Sequence, residues 1–428
     1  MAWQSPIAPG ISWYQTTVDN PPEYPALDGS KQVDVAVIGG GFTGLQAAYN
    51  LAKAGVSVAL IEAHHLGDGA SGRNGGQFGT GQRAYPDEME AKLGYEHSKA
   101  LFDIAEDAKR YVKDFAADNQ IDISFQAGQM NVTHKKAYLD DYRRSVELMA
   151  DKYAYPHLSY MGQSETQERV GSKFYIGGVR DSGTGHINPL RLLVGLGNVA
   201  KAAGAEIFEN TPARSITHSN GKVVIDTPSG TLSANRALIA TNAYIGNLEP
   251  QTAAHIMPIR SFIGATEPLD RFPEIIPGYE AIADSRFVVR YFRKTLDNRL
   301  LFGGREAYTA DVPRDISIHI RRQISEIYPQ LKDIGITHSW GGSVGITLPR
   351  EPFVREVLPN VHSIGGFSGH GVMLSNYCGK LYADMVVSNA KELGQFERLD
   401  IPAFPGGRSF RAPLLFLALT WFSLRDKL

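Results

Sequence analysis

Cysteine is nearly absent from this chain of 428 residues, where Cys378 stands alone. A single thiol excludes an intrachain disulfide and any cysteine-based metal cluster, and it points to a reducing compartment. Net charge is also slight, at -2, which leaves no electrostatic case for nucleic acid as a partner. No apolar run reaches the roughly 18 residues needed to span a bilayer, and no basic segment followed by an apolar core opens the chain. A cytoplasmic protein without metal or membrane span is the expectation. The apolar tail from Pro413 to Leu428 is expected to dock on the body as a helix rather than to anchor at a membrane surface.

Glycine, by contrast, is plentiful, with 44 residues, and one cluster of it has informative neighbours. Val33 to Ile38 reads as a buried parallel strand, Gly39-Gly40-Gly41-Phe42-Thr43-Gly44 as a turn, and Leu45, Ala48 and Leu51 as the apolar face of a helix that Gly55 ends. Val56 to Ile61 is a second strand, closed by Glu62. In such a unit Gly39 permits the tight turn, Gly41 lets a pyrophosphate approach the backbone, and Gly44 lets helix and sheet pack closely. The helix N-terminus offers free amides to phosphate, and a carboxylate at Glu62 suits the adenosine ribose hydroxyls. The alternative is a βαβ unit with no ligand.

A second small-residue stretch, Ser71-Gly72-Arg73-Asn74-Gly75-Gly76-Gln77, reads as a loop where backbone meets a flat or charged ligand, or else as a flexible surface loop. Residues 86 to 118 carry one helical stripe, 121 to 133 is extended, 135 to 152 is helical, and Ser164 to Gln167 forms a capping box. After a helix from Leu190 to Ala203 come three short strands, 213–218, 222–227 and 231–233, with Asn-Gly and Ser-Gly hairpin turns, then a strand 236–241 ending at Thr241. Strands 257–266, 287–294 and 299–304 suggest a mixed sheet, followed by a helix 316–328. The last unit is a strand 361–364, a turn Gly365 to Gly371 and a helix from Met373. Residues 1 to 30, rich in proline, read as an extended surface arm anchored by Trp3, Trp13, Tyr14 and Tyr24.

These motifs together, with Arg299 to Gly304 and Gly365-Gly366-Phe367-Ser368-Gly369-His370-Gly371, resemble the flavin-dependent amine oxidases of the D-amino-acid oxidase and sarcosine oxidase type, from about Val33 to the end of the chain. The resemblance implies an α/β fold with an α+β second domain. A Rossmann-like FAD-binding domain would comprise 31–80, 160–250 and 335–395, and a mixed β-sheet substrate domain 81–159 and 251–334, between the arm 1–30 and a tail 396–428. FAD phosphates would lie on Gly39, Gly41, Phe42, Thr43 and Gly44 and the ribose on Glu62. The rest of the cofactor would follow Ser71, Gly72, Arg73, Asn74, Gly75, Gly76 and Gln77, with Thr241 alongside, and the flavin edge would face Gly369, His370, Gly371 and Val372. Binding is expected to be non-covalent, because the region where sarcosine oxidases attach flavin, Trp340 to Val344, has no Cys and the position of an attaching His in related enzymes holds Arg73.

The implied reaction removes hydride from the carbon beside an amine nitrogen to flavin N5, leaving an imine that water hydrolyses. A γ-glutamylated polyamine is the leading small-molecule substrate, with molecular oxygen as acceptor; a D-amino acid or N-methyl amino acid is the alternative, and a non-catalytic flavoprotein a third. Candidates for substrate contact are Tyr291, Arg293, Arg260 and His370, each with a structural role as its alternative. Alternation puts Tyr291 and Arg293 on one strand face and Arg290 on the other. The run Arg299 to Gly304 has Leu where sarcosine oxidases carry a Lys, which keeps a dehydrogenase open.

Overall fold

The computed structural model describes residues 4–286, 288–307 and 315–406. The described residues form two eight-stranded sheets. The first sheet has the strand order Phe353–Leu358, Val361–Gly365, Gly230–Ile239, Gly29–Ile38, Val58–Ile61, Glu206–Phe208. All of its central pairings are parallel, and Val35 opposite Val58 fixes the register. The parallel step from Gly29–Ile38 to Val58–Ile61 is made through helix Phe42–Lys53, as parallel neighbours require. Val35, Ala36, Val37 and Ile38 are all buried because both faces of this sheet are covered. Helix Phe42–Lys53 in turn packs on helix Gly371–Ser388 so closely that a Cβ on Gly379 would lie 2.3 Å from the Thr43 carbonyl oxygen.

The second sheet runs Ile336–Ile346, Met257–Pro268, Arg299–Ala307, Tyr291–Lys294, Ala281–Asp284, Gln126–Thr133, Gly177–His186, Leu158–Met161. Its outer face carries Phe262, Phe292, Leu300 and Phe302 against Ile316, Ile320, Ile324 and Ile327 of helix Ile316–Ile327. The inner face carries Ile263, Ala265, Leu301 and Trp340, with Tyr291 at its margin.

Several expectations change here. The 160–250 stretch contains Gly177–His186 and the 335–395 stretch contains Ile336–Ile346, and both strands belong to the second sheet. Conversely helix Tyr95–Asp118, inside the expected substrate segment 81–159, buries Leu101, Ile104, Ala105, Ala108, Val112 and Phe115 in the core of the first sheet's helices. The chain crosses between sheets at places that no change of composition marks. The stripe over 86–118 is two helices, Pro86–Leu93 and Tyr95–Asp118, broken at Gly94 with φ +78°. Strands 231–233 and 236–241 are one strand, Gly230–Ile239, which also takes the 222–226 hairpin arm at its start. The capping box is not used: helix Gln163–Val170 begins behind Gly162 without a side-chain cap. The 287–294 strand shortens to Tyr291–Lys294, and Ala281–Asp284, a strand the pattern did not reveal, lies beside it.

The arm runs over the surface with exposed residues between its aromatic anchors, and the anchors themselves are sunk into the body. Tyr14 has no exposed area, Trp13 and Tyr24 are buried, and Trp13–Thr17 is a short 3-10 helix. Pro9 accepts a hydrogen bond from Gly341 N at 2.9 Å, so the arm covers the free edge of strand Ile336–Ile346, the kind of exposed edge that otherwise invites pairing with another chain. Further along, Tyr24 N donates to Glu209 and Pro25 O accepts from Glu209 N, which ties the arm to the first sheet. The apolar tail 413–428, like Gly407 and Arg408, lies outside the described residues.

Candidate active site

The turn after strand Gly29–Ile38 is built by backbone approach. Gly39 sits at φ +111°, and a Cβ on Gly44 would be 2.0 Å from the Gly39 carbonyl oxygen. The amides at the first turn of helix Phe42–Lys53 have no intrahelical acceptor. One of them, Phe42 N, is taken by Ser71 Oγ at 3.1 Å, and those of Thr43 and Gly44 remain for a ligand anion. Glu62 receives Gly40 N at 2.7 Å and His64 N at 3.0 Å. Burial holds its carboxyl above the usual range, opposed by those two amides.

From Ser71 the chain runs between the two sheets as far as Arg83, touching a different element at nearly every step. Asn74 closes the loop on itself, its Oδ1 accepting Gly76 N at 2.7 Å and its Nδ2 donating to the carbonyls of Ala70 and Ser71. Arg73, buried, donates to the carbonyls of Gly341, Pro9 and Gly10, all at 2.7 Å. Gly75 lies under the Tyr291 ring, with 2.9 Å left for a Cβ. At Gly76, with φ +74°, a Cβ would meet Ile187 O at 2.2 Å. Gln77 donates to Ile282 O, and Phe78 N to Gly185 O. Gly79 and Gly81 then clasp His370: a Cβ on Gly79 would fall 1.7 Å from its Cε1, and its Nε2 is 3.0 Å from Gly81 O.

His370 stands at the N-cap of helix Gly371–Ser388. Because a carbonyl only accepts, Nε2 carries the proton and Nδ1 presents a lone pair. Burial, aided by the charge of Arg83, lowers its pKa to about 4, so the ring is neutral near pH 7. Ser368 N donates to Gly345 O and Gly366 N to Asn242 Oδ1, which ties the second glycine turn to the end of the second sheet's edge strand and to the end of strand Gly230–Ile239.

The candidates for substrate contact separate. Tyr291 faces inward, its ring over Gly75 and Gly303 and its hydroxyl 3.2 Å from Ser261 Oγ. Arg293 shares that face, as alternation requires, while Arg290 pairs with Glu326 on the outer side. Arg293 is nonetheless engaged by the protein, donating to Gly75 O, Ile187 O and Tyr14 Oη at 2.8 to 3.0 Å; its far side borders a cleft of about 340 Å³. Arg260 is one step out of phase with Ser261, which meets Tyr291, and its charge acts instead on Tyr244, a ring that also packs on Gly69 and feels Arg73. Residues 79 to 83, Asn242 and Ser261 join the site without having been singled out; the spacing Gly79-Thr80-Gly81 was the one local signal for them.

The residues fit FAD on three counts. The Gly39–Gly44 turn is a cradle a side chain would fill; Glu62 stands at the end of the second strand; and Arg73 Nη1 and Thr241 Oγ1 are buried without a hydrogen-bond partner, which is costly unless a ligand supplies one. Ser71, Gly72 and Thr241 border this cradle, and Gly369, Gly371 and Val372 follow the second turn.

The model of the family "FAD dependent oxidoreductase" matches residues 34–385. The chain is 62% identical over 427 residues, all of both chains, to the probable oxidoreductase OrdL of Rhizobium meliloti. It is 31% identical to the gamma-glutamylputrescine oxidoreductase of Escherichia coli, covering 97% of this chain and 98% of that one. Among solved structures, L-proline dehydrogenase from P. horikoshii superposes with a TM-score of 0.72 at 21% identity, covering 86% of this chain and 96% of that one. With the cradle, the paired sheets and these likenesses in agreement, the chain belongs to the FAD-dependent oxidoreductases of the D-amino-acid oxidase type and is a flavin-dependent oxidoreductase.

Proposed function

We infer that the chain oxidises the C–N bond of an amine, and that the amine is γ-glutamylputrescine or a related γ-glutamylated polyamine. The observation that carries this reading is the near end-to-end likeness to the gamma-glutamylputrescine oxidoreductase. The amine carbon would lose hydride, the resulting imine would take up water, and an aldehyde and ammonia would leave; with oxygen as final acceptor the other product is hydrogen peroxide. FAD, when bound, supplies the two-electron acceptor for that hydride. Gly39, Gly41, Phe42, Thr43 and Gly44 would hold its phosphates, Glu62 its ribose, and 71–77 with Thr241 and 369–372 the remainder.

The protein's own part is to present the amine unprotonated. An ammonium brought into a desolvated site beside the charges of Arg83 and Lys109, both of which act on His370, is pushed towards its neutral form. His370 Nδ1 would then accept one amine N–H and fix the direction of the remaining lone pair. A base with a pKa near 4 holds a hydrogen bond rather than taking the proton away. Tyr291 would close the inner face of the sheet over the same segment.

A second reading, oxidation of a small amino acid, is favoured by Arg83, which is half-buried and has no ion pair or hydrogen bond among the described residues. A carboxylate next to the reacting carbon would suit it as well as the remote carboxylate of a γ-glutamyl group. Anaerobic mixing separates the two: bleaching of the flavin by γ-glutamylputrescine but not by sarcosine or D-alanine supports the first, the reverse supports the second, and no bleaching by any amine sinks both. Peroxide formation measured against dye reduction identifies the acceptor.

A further inference from the structure

Behind the segment that clasps His370 lies a buried charged cluster, of which the reading above uses the charge of Lys109 alone. Lys109, on helix Tyr95–Asp118, is 3% exposed. Its Nζ donates to Thr80 Oγ1 at 2.9 Å and Tyr155 Oη at 3.0 Å, and lies 2.8 Å from Glu106 Oε2. Thr80 Oγ1 donates to Asp181 Oδ2 at 2.5 Å, and Tyr155 Oη to Asp181 Oδ1 at 2.7 Å. Gly183 N closes the ring on Asp181 Oδ1 at 2.9 Å. The hydroxyl of Thr80 thus spends its proton on Asp181 and a lone pair on Lys109.

Every other member of this network sits on helix Tyr95–Asp118, on strand Gly177–His186 or at Tyr155, whereas Thr80 lies between the two glycines of the clasp. Thr80 has Gly79 on one side, pressed against the His370 ring, and Gly81 on the other, whose carbonyl takes His370 Nε2–H. Gln82 pins the next residue by donating to Leu101 O at 2.7 Å. Glycines on both sides of Thr80 would leave this stretch free to relax, and the network removes that freedom at its centre.

We propose that Lys109 and Thr80 are positioning residues, which hold Gly79 and Gly81 against His370 and so determine that Nδ1, and not Nε2, faces the amine. The proposal rests on the reading of His370 given above, but its test does not. The groups that face His370 are the cations Arg83 and Lys109; those that face Lys109 are Glu106 on its own helix, Asp181 on the neighbouring strand and the Tyr155 phenol. Burial is the largest cause of the low His370 pKa, so loosening the clasp lets water reach the ring and raises it towards the ordinary value.

The experiment is an NMR titration of the His370 side chain in the holoenzyme. Thr80→Val keeps the shape and removes the hydroxyl; Thr80→Ser keeps the hydroxyl. The expected result is a His370 pKa raised by about one unit or more in T80V and held at the wild-type value in T80S, with the acid limb of kcat/KM moving in step. Lys109→Met, which also removes a cation and leaves two carboxylates, is the second variant and shifts the titration in the same direction. An unchanged titration in folded T80V or K109M overturns the proposal, as does a T80S shift equal to that of T80V. Full activity in His370→Gln, with the titration shift still present in T80V, would instead remove the catalytic reading and leave the positioning intact.

Discussion

The two glycine-rich stretches on either side of the cofactor site obey different rules. At 39–44 the glycines at the two ends of the turn are required by backbone: the Gly44 position is bounded by the Gly39 carbonyl, and Gly39 itself by Ala240 O at 2.8 Å from a Cβ. Between 75 and 81 most are required by side chains that arrive from far along the sequence, Tyr291 at Gly75 and His370 at Gly79. Backbone cannot step aside, whereas a ring can. The first stretch is therefore a fixed cradle, and the second is a surface on which distant residues are set in place.

Substitution separates the two. Gly44→Ala has the largest expected effect: with nowhere for the Cβ to go, an overpacking cost of about 1–3 kcal/mol or more comes with displaced phosphate-binding amides, so the purified protein should lack the flavin absorbance and melt several degrees lower. Gly79→Ala should eject the His370 ring and leave the fold and bound flavin intact, with kcat/KM down on the order of 10²-fold, the cost of a misplaced reacting group. Loss of flavin from G79A as complete as that from G44A would erase the distinction.

Smaller again is Glu62→Gln, which weakens the acceptor of the two amides and of the ribose; charge-assisted hydrogen bonds of about 1.5–3 kcal/mol predict roughly ten- to hundredfold weaker FAD binding, measured by fluorescence titration of the apoprotein. The smallest effect is a pH dependence of stability. His370 titrates at about 4 in the folded chain against an ordinary 6.5, so the unfolded chain binds more protons between these values. Its contribution is fully present above pH 6.5 and is lost as pH falls to about 4. The melting temperature of wild type should therefore fall relative to that of His370→Gln as pH drops through that window, and keep a constant offset from it above pH 6.5.

The sequence carried the first region almost completely, because a strand, a turn, a helix and an acid speak through neighbours in the chain. Gly39, Gly41, Gly44 and Glu62 could be named from spacing. The second region was visible only as far as Gln77. Nothing within 78–83 signals that His370 lies against it, and no local pattern tells that Tyr291 lies over Gly75 while Arg260 acts on Tyr244, because both contacts are made between distant parts of the chain. Arg293 shows the same limit from the other direction: its face was legible, but its engagement by Gly75, Ile187 and Tyr14 depends on an arm that composition placed at the surface.

That arm also sets an order of events during synthesis. Pro9 and Gly10 are made long before Gly341, with which the strand edge and the Arg73 clasp they join are completed. At about 5–20 residues per second the arm waits tens of seconds for its partner. Throughout that interval the edge of the second sheet and the carbonyls that Arg73 grips have no partner in each other, so the cofactor site closes late in synthesis.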